Sequence, residues 1–243
     1  VSSSAASDVY KRQDLRSFLD GKTGFVRDGF NLFRHFGIYR GEAIYEWLRR
    51  ELEIHAGDPD LTFRELSAMA NERNGCRHLY ITGSDISSFR PLTFCIENTP
   101  DMPIALAVRM SVSFPLVFRP LQFGDALVVD GGALNNYPIR LFDNGSANPK
   151  TIGFRVDSTE ELQRLGKMPD SIGAYVKQLV GLLMSQSNRS HLSPPDWDRT
   201  VFIDTGDVGT LEFGLSRQRK ERLIQNGRDA MKTYLEWRRK ATI

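Results

Sequence analysis

Cysteine is scarce in this sequence: Cys76 and Cys95 are the two in 243 residues. They lie too far apart for a C-x-x-C unit, which excludes a disulfide framework and a zinc ribbon, so two reduced thiols are expected. The four histidines, His35, His55, His78 and His191, are scattered and none falls in an H-E-x-x-H pattern. Neither a metal site nor a cofactor is therefore expected. Long hydrophobic runs are also lacking. The strongest, Pro103–Val108 and Phe114–Phe118, fall far short of the ~18–20 apolar residues that span a bilayer. No signal peptide is visible, so the sequons at Asn144 and Asn188 carry no weight. Gly21-Lys22-Thr23 is not a phosphate-binding loop, because that motif needs a glycine where Arg16 stands.

What is present is globular composition. Hydrophobic residues make up 40% of the chain and charged residues 26%, enough apolar material for a core and too much for a disordered chain. The net charge of +2 hides an asymmetry: from Leu215 onward there are nine basic residues and three acidic ones. A basic end on a mildly acidic body can touch an anionic membrane or nucleic acid, or it can be a solvated helix face. Basic residues interleaved with aromatics, the mark of the usual nucleic-acid modules, are missing from residues 215–240, so no nucleic-acid partner is expected. Residues 1–13, VSSSAASDVYKRQ, have no core-forming period and resemble translated adapter sequence. They are expected to be non-native and are set aside, leaving 14–243 as the domain.

Helix and strand signals alternate along the rest. Residues 41–54 place Ile44, Trp47, Leu48 and Leu52 at helical spacing. Thr62 and Glu65 form a capping box that opens another helix. His78–Gly83 and Leu92–Ile96 read as strands about a turn at Ser87–Pro91. Ile104–Met110 reads as a short helix closed by Pro115, and Ala126–Asp130 as a buried strand ending in a tight Asp-Gly-Gly turn. Thr151–Val156 and Arg199–Asp204 are further strand candidates; Ser171–Gln186 and Leu215–Arg239 are helices. Leu223, Ile224, Gly227, Met231, Tyr234 and Leu235 share one stripe of the last. Several strands are apolar throughout, which predicts an α/β fold, three-layer α/β/α, with a mainly parallel sheet covered on both faces.

In such sheets chemistry gathers beyond the carboxyl ends of strands. Asp130 has that placement, and Gly131 and Gly132 beside it allow close approach of backbone or substrate. A strand-end aspartate can act as a general base toward a hydroxyl. Its ordinary pKa of about 3.9 makes it a weak one unless desolvation raises the value. Taken alone, D-G-G reads first as an ordinary turn at a strand end.

The neighbourhood adds to it. Ala105-Leu106-Ala107-Val108-Arg109-Met110-Ser111-Val112-Ser113-Phe114-Pro115-Leu116-Val117-Phe118 is followed by a strand ending in DGGALNNYP. This resembles the patatin-like phospholipase family, whose pattern is A-x-R-A-S-x-A-x-P-x-x-F, then D-G-[GA], then N-x-P. Met110 and Ser113 stand where alanines are usual. The resemblance runs over about residues 28–237. It implies a lipid acyl hydrolase with a Ser–Asp dyad, acting on acyl esters of membrane lipids, with Asp130 as the catalytic aspartate and Gly131 and Gly132 as its motif turn. In the family the serine sits in a G-x-S-x-G elbow near the N-terminus, after a Gly-rich oxyanion loop. Neither occurs in the 243 residues. The expectation is that both precede Asp14, and that this chain is an N-terminally truncated, inert fragment of a hydrolase. A cytoplasmic protein, or one peripheral at the membrane surface, is expected. The alternative is a non-catalytic lipid- or membrane-binding relative using its basic C-terminal helix. Ser111 and Ser113 lack flanking glycines and are poor nucleophile candidates. Arg109 reads as a helix anchor or a carboxylate's partner ahead of a phosphate ligand, and Phe114, Leu116, Val117 and Phe118 as core ahead of an acyl channel.

Overall fold

The computed structural model describes residues 34–72, 77–157, 168–189, 192–209, 212 and 214–241. Residues 1–13, Gly21–Thr23, Cys76 and His191, and with them the expectations placed there, lie outside the described residues. Two compact units separate, the first within Ser17–Asn136 and the second from Tyr137 onward, apart from 182–188, which group with the first.

The first unit opens with strand β1 (Gly37–Tyr39) and helix α1 (Glu42–Ala56). Gly41 at φ +77 precedes α1 and Gly57 at φ +87 ends it, the latter donating its N–H to the Glu53 carbonyl. Helix α2 (Phe63–Glu72) begins at the expected capping box. The Thr62 N–H donates to Glu65 Oε2 at 2.8 Å, and the Glu65 N–H returns to Thr62 Oγ1 at 3.3 Å. Strands β2 (Ile81–Asp85) and β3 (Arg90–Phe94) follow, then α3 (Ile104–Ser111), β4 (Leu116–Phe118), β5 (Leu121–Phe123), β6 (Ala126–Asp130) and α4 (Gly132–Asn135).

The sheet carrying β6 has the order β3-β2-β6-β5. Its pairs are antiparallel, whereas its apolar strands suggest a parallel arrangement. For β2–β3 and β5–β6 the reason is connection length: they are joined by 86–89 and by Gly124-Asp125, and such short links can only reverse the chain. Parallel pairing does occur, between β1 and β4. Leu61, Phe63, Ile81, Phe94, Met102, Ile104, Ala107, Met110 and Val128 form the core beneath this sheet. Cys95 is a buried free thiol.

The second unit contains β7 (Gly153–Asp157), a short helix α6 (Pro194–Trp197), β8 (Thr200–Asp204) and the long basic helix α7 (Arg217–Ala241). Between β7 and α6 the chain forms helix α5 (Ile172–Arg189). Strands β7 and β8 pair in parallel, Gly153 opposite Thr200 through Asp157 opposite Asp204. The fold is thus mixed α/β with parallel elements. No helix among the described residues is long and apolar enough to cross a membrane. In α7, Tyr234 is buried while Leu235, placed on the same stripe by its spacing, is exposed.

Candidate active site around Asp130

Strand β6 delivers Asp130 because Val128 and Val129, both buried, fix the strand in the sheet. Asp130 faces Gly83 of β2 in register. Its N–H donates to the Ser113 carbonyl at 3.0 Å, which ties the strand end to the segment after α3. The carboxylate is half-buried, and its Oδ1 accepts the Gly132 N–H at 2.7 Å. Burial pushes the carboxyl pKa up, and the Gly132 bond opposes part of that rise. The side chain is therefore more basic than an exposed aspartate, as a proton acceptor from a hydroxyl needs to be.

The two glycines open a short helix instead of the expected tight turn. Gly131 sits at φ −59, ψ −30, an ordinary right-handed conformation. What they supply is the missing Cβ. At Gly131 that atom would lie 2.6 Å from Thr82 Oγ1 and 2.7 Å from the Thr82 carbonyl oxygen, in the wall made by β2. At Gly132 it would strike Asn136 Oδ1 and lie 3.0 Å from Asp130 Oδ1. One glycine lets the strand end pack on its neighbour, and the other lets the backbone approach the carboxylate.

Ser84 fastens this corner and carries no signal in the sequence. Fully buried, it donates Oγ–H to the Gly131 carbonyl at 3.2 Å and accepts the Leu134 N–H at 3.2 Å. Only the β2–β6 register reveals it, since 47 residues separate it from Gly131.

Arg109 is an anchor, as its helical position suggests. It is 4% exposed. Its guanidinium donates to Ser113 Oγ at 2.6 Å, to the Arg119 carbonyl at 3.2 Å and to the Arg40 carbonyl. Ser113 Oγ donates in turn to the Arg109 carbonyl at 2.8 Å, so this buried hydroxyl is fully engaged. Ser111 is half-buried at the end of α3. Met110, in place of an alanine, fills the core. Phe118 is buried, while Phe114, Leu116 and Val117 are half-buried. Among the described residues no group of three or more His, Cys, Asp or Glu side chains could hold a metal ion.

A family model described as patatin-like phospholipase matches residues 2–143, more than half of the chain. The uncharacterised protein R571 of Acanthamoeba polyphaga mimivirus is 28% identical over 212 residues, covering 85% of this chain and 67% of that protein. The uncharacterised protein YqhO of Bacillus subtilis strain 168 is 28% identical over 214 residues, with 85% and 70% covered. A probable lipid hydrolase, 463L of Invertebrate iridescent virus 6, is 28% identical over 105 residues, 43% of this chain and 34% of that one. Among solved structures, VipD from Legionella pneumophila aligns with a TM-score of 0.52 at 17% identity over 74% of this chain. The chain spans 36% of VipD, and the likeness is one of fold.

Proposed function

Since the chain belongs to the patatin-like phospholipase family, we propose that it carries the aspartate half of a Ser–Asp dyad that hydrolyses acyl esters of membrane lipids. The observation that supports this reading is the half-buried Asp130 carboxylate, raised in pKa by desolvation and held by the Gly132 N–H at the end of β6. In the proposed reaction Asp130 accepts the proton of a serine hydroxyl as its oxygen attacks the ester carbonyl. The tetrahedral intermediate then expels the lipid alcohol, which takes that proton from Asp130. Water, deprotonated by the same carboxylate, attacks the acyl-serine; the collapsing intermediate releases the fatty acid as Asp130 returns that proton to the serine oxygen. The serine is not supplied by a G-x-S-x-G elbow within the 243 residues, and we place it upstream of Asp14.

The test begins with the reading frame upstream of the Asp14 codon. A chain extended to include a Gly-rich loop and an elbow should hydrolyse p-nitrophenyl acyl esters. Asp130→Asn in that chain should lower kcat by about 10²- to 10⁴-fold, the usual worth of a general base, with an unchanged circular dichroism spectrum. Undiminished turnover by the Asn variant overturns the dyad. A second reading, a non-catalytic relative that docks on lipid, draws on α7, where Arg222, Arg228, Lys232, Arg239 and Lys240 are all exposed. It predicts binding to anionic vesicles with no ester hydrolysis by the extended chain.

A further inference from the structure

Asp130 is held from two sides, and each hold runs through a buried serine. On the β2 side, Ser84 grips the turn that follows Asp130. On the other side, the Asp130 N–H is held by the Ser113 carbonyl at 3.0 Å, and Ser113 is fully buried in the segment between α3 and β4. Ser113 lies outside any helix or strand. Its place relative to β6 therefore has to be fixed by something other than a strand ladder.

Arg109 fixes it. One N–H of the guanidinium donates to Ser113 Oγ at 2.6 Å, and that hydroxyl donates back to the Arg109 carbonyl at 2.8 Å, closing a ring around the end of α3. The Ser113 N–H donates to the Met110 carbonyl at 3.1 Å. The far side of the guanidinium reaches the carbonyls of Arg40 and Arg119, the residues that follow β1 and β4. Those two strand ends are themselves tied together, since the Arg119 N–H donates to the Tyr39 carbonyl at 2.9 Å. At Gly41, φ +77, the backbone passes so close to the guanidinium that a Cβ would collide with it. A planar fork buried against these acceptors holds one geometry, because turning it breaks several charge-assisted bonds together.

We propose that Arg109 is a positioning residue for Asp130 and acts through Ser113. The guanidinium braces Ser113 against the ends of β1 and β4, and the Ser113 carbonyl sets where the end of β6, and with it the carboxylate, comes to rest. Ser113 stands where the family pattern has alanine, so the hydroxyl link in this brace is a feature of this chain. The catalytic meaning of the brace rests on the Ser–Asp reading given above, whereas its geometry does not.

Amide hydrogen exchange on the 243-residue chain, followed residue by residue by NMR, tests the brace without a nucleophile. Ser113→Ala removes the hydroxyl and adds no bulk. It should speed exchange of the Asp130 amide about tenfold, while the Ile104 amide, bonded to the Leu61 carbonyl at 2.9 Å in the core of the same unit, keeps its protection. Arg109→Lys keeps the charge but replaces the fork by a single ammonium, and should speed Asp130 exchange further, again ahead of Ile104. A role confined to packing lowers the protection of both amides together. Equal loss at both amides in Ser113→Ala, or an Asp130 amide unmoved in either variant, overturns the inference. In the chain extended to carry a serine elbow, Ser113→Ala should lower kcat severalfold with KM unchanged, because the carboxylate shifts and the surface that binds lipid does not. An unchanged kcat, or a loss confined to KM, overturns the positioning role. Failure of the dyad has a different signature, undiminished turnover by Asp130→Asn, which would strip the brace of its catalytic meaning and leave the exchange result standing.

Discussion

At the scale of single residues, the raised pKa of Asp130 has a consequence that needs no nucleophile to observe. Burial raises the folded-state pKa above the unfolded value of about 3.9, so the folded chain holds this proton more tightly than the unfolded one. The stability from that difference is complete below the unfolded pKa and is lost as pH rises through the folded one. Asparagine stays neutral and can still accept the Gly132 N–H. Asp130→Asn should therefore raise the melting temperature at pH 7, and the gain should vanish near pH 4. A variant less stable than the parent at pH 7 would contradict the desolvated carboxylate. Ser84 is read in the opposite sense: it satisfies groups on both sides of the corner that positions Asp130 without being a candidate nucleophile itself.

At the scale of elements, the two glycines after β6 separate packing from chemistry. Gly131→Ala drives a Cβ into the Thr82 backbone, which cannot move without parting β2 from β6, and should cost about 1–3 kcal/mol in urea unfolding. Gly132→Ala meets first the amide of Asn136, a movable side chain, and then the Asp130 carboxylate. It should cost less stability and more of whatever activity the extended chain shows. Equal losses in both variants would show that the turn is one packing unit. Much here was legible in the sequence. Ala126–Asp130 is a strand with those bounds because five apolar-to-acidic residues sit between a turn and two glycines. The α2 capping box was readable because its partners lie three residues apart. Illegible were the antiparallel pairing of β2 with β6 and the Ser84 clamp. Each joins residues far apart in the chain, and hydropathy carries no information on register. Apolar strands look the same whether their neighbours run parallel or reversed.

At the scale of the whole molecule, the unit from Tyr137 onward is held by a buried ion network that local spacing does not announce. Asp196, 1% exposed, accepts Arg140 Nη2 at 2.7 Å, Arg199 Nη2 at 2.7 Å and Ser193 Oγ at 2.7 Å. Arg199 also reaches both oxygens of Asp143. Burial by itself would raise the Asp196 pKa, but the bonds from Arg140, Arg199 and Ser193 more than reverse it, leaving the carboxyl far below the usual aspartate range. The Arg199 pKa is driven up, first by its bond to Asp143. Arg199 keeps its pair with Asp143, so Asp196→Asn weakens charge-assisted bonds without stranding a charge and should cost about 1–3 kcal/mol at pH 7. A depressed folded pKa gives stability that is present above the unfolded value of about 3.9 and is lost as pH falls below it. The parent protein should therefore lose stability on acidification through pH 4, and the gap between parent and Asn variant should narrow over that window. Melting curves of both proteins from pH 7 to pH 3 read this directly. A gap that stays constant across the window would mean that the network contributes packing and hydrogen bonds, and that the Asp196 charge contributes nothing.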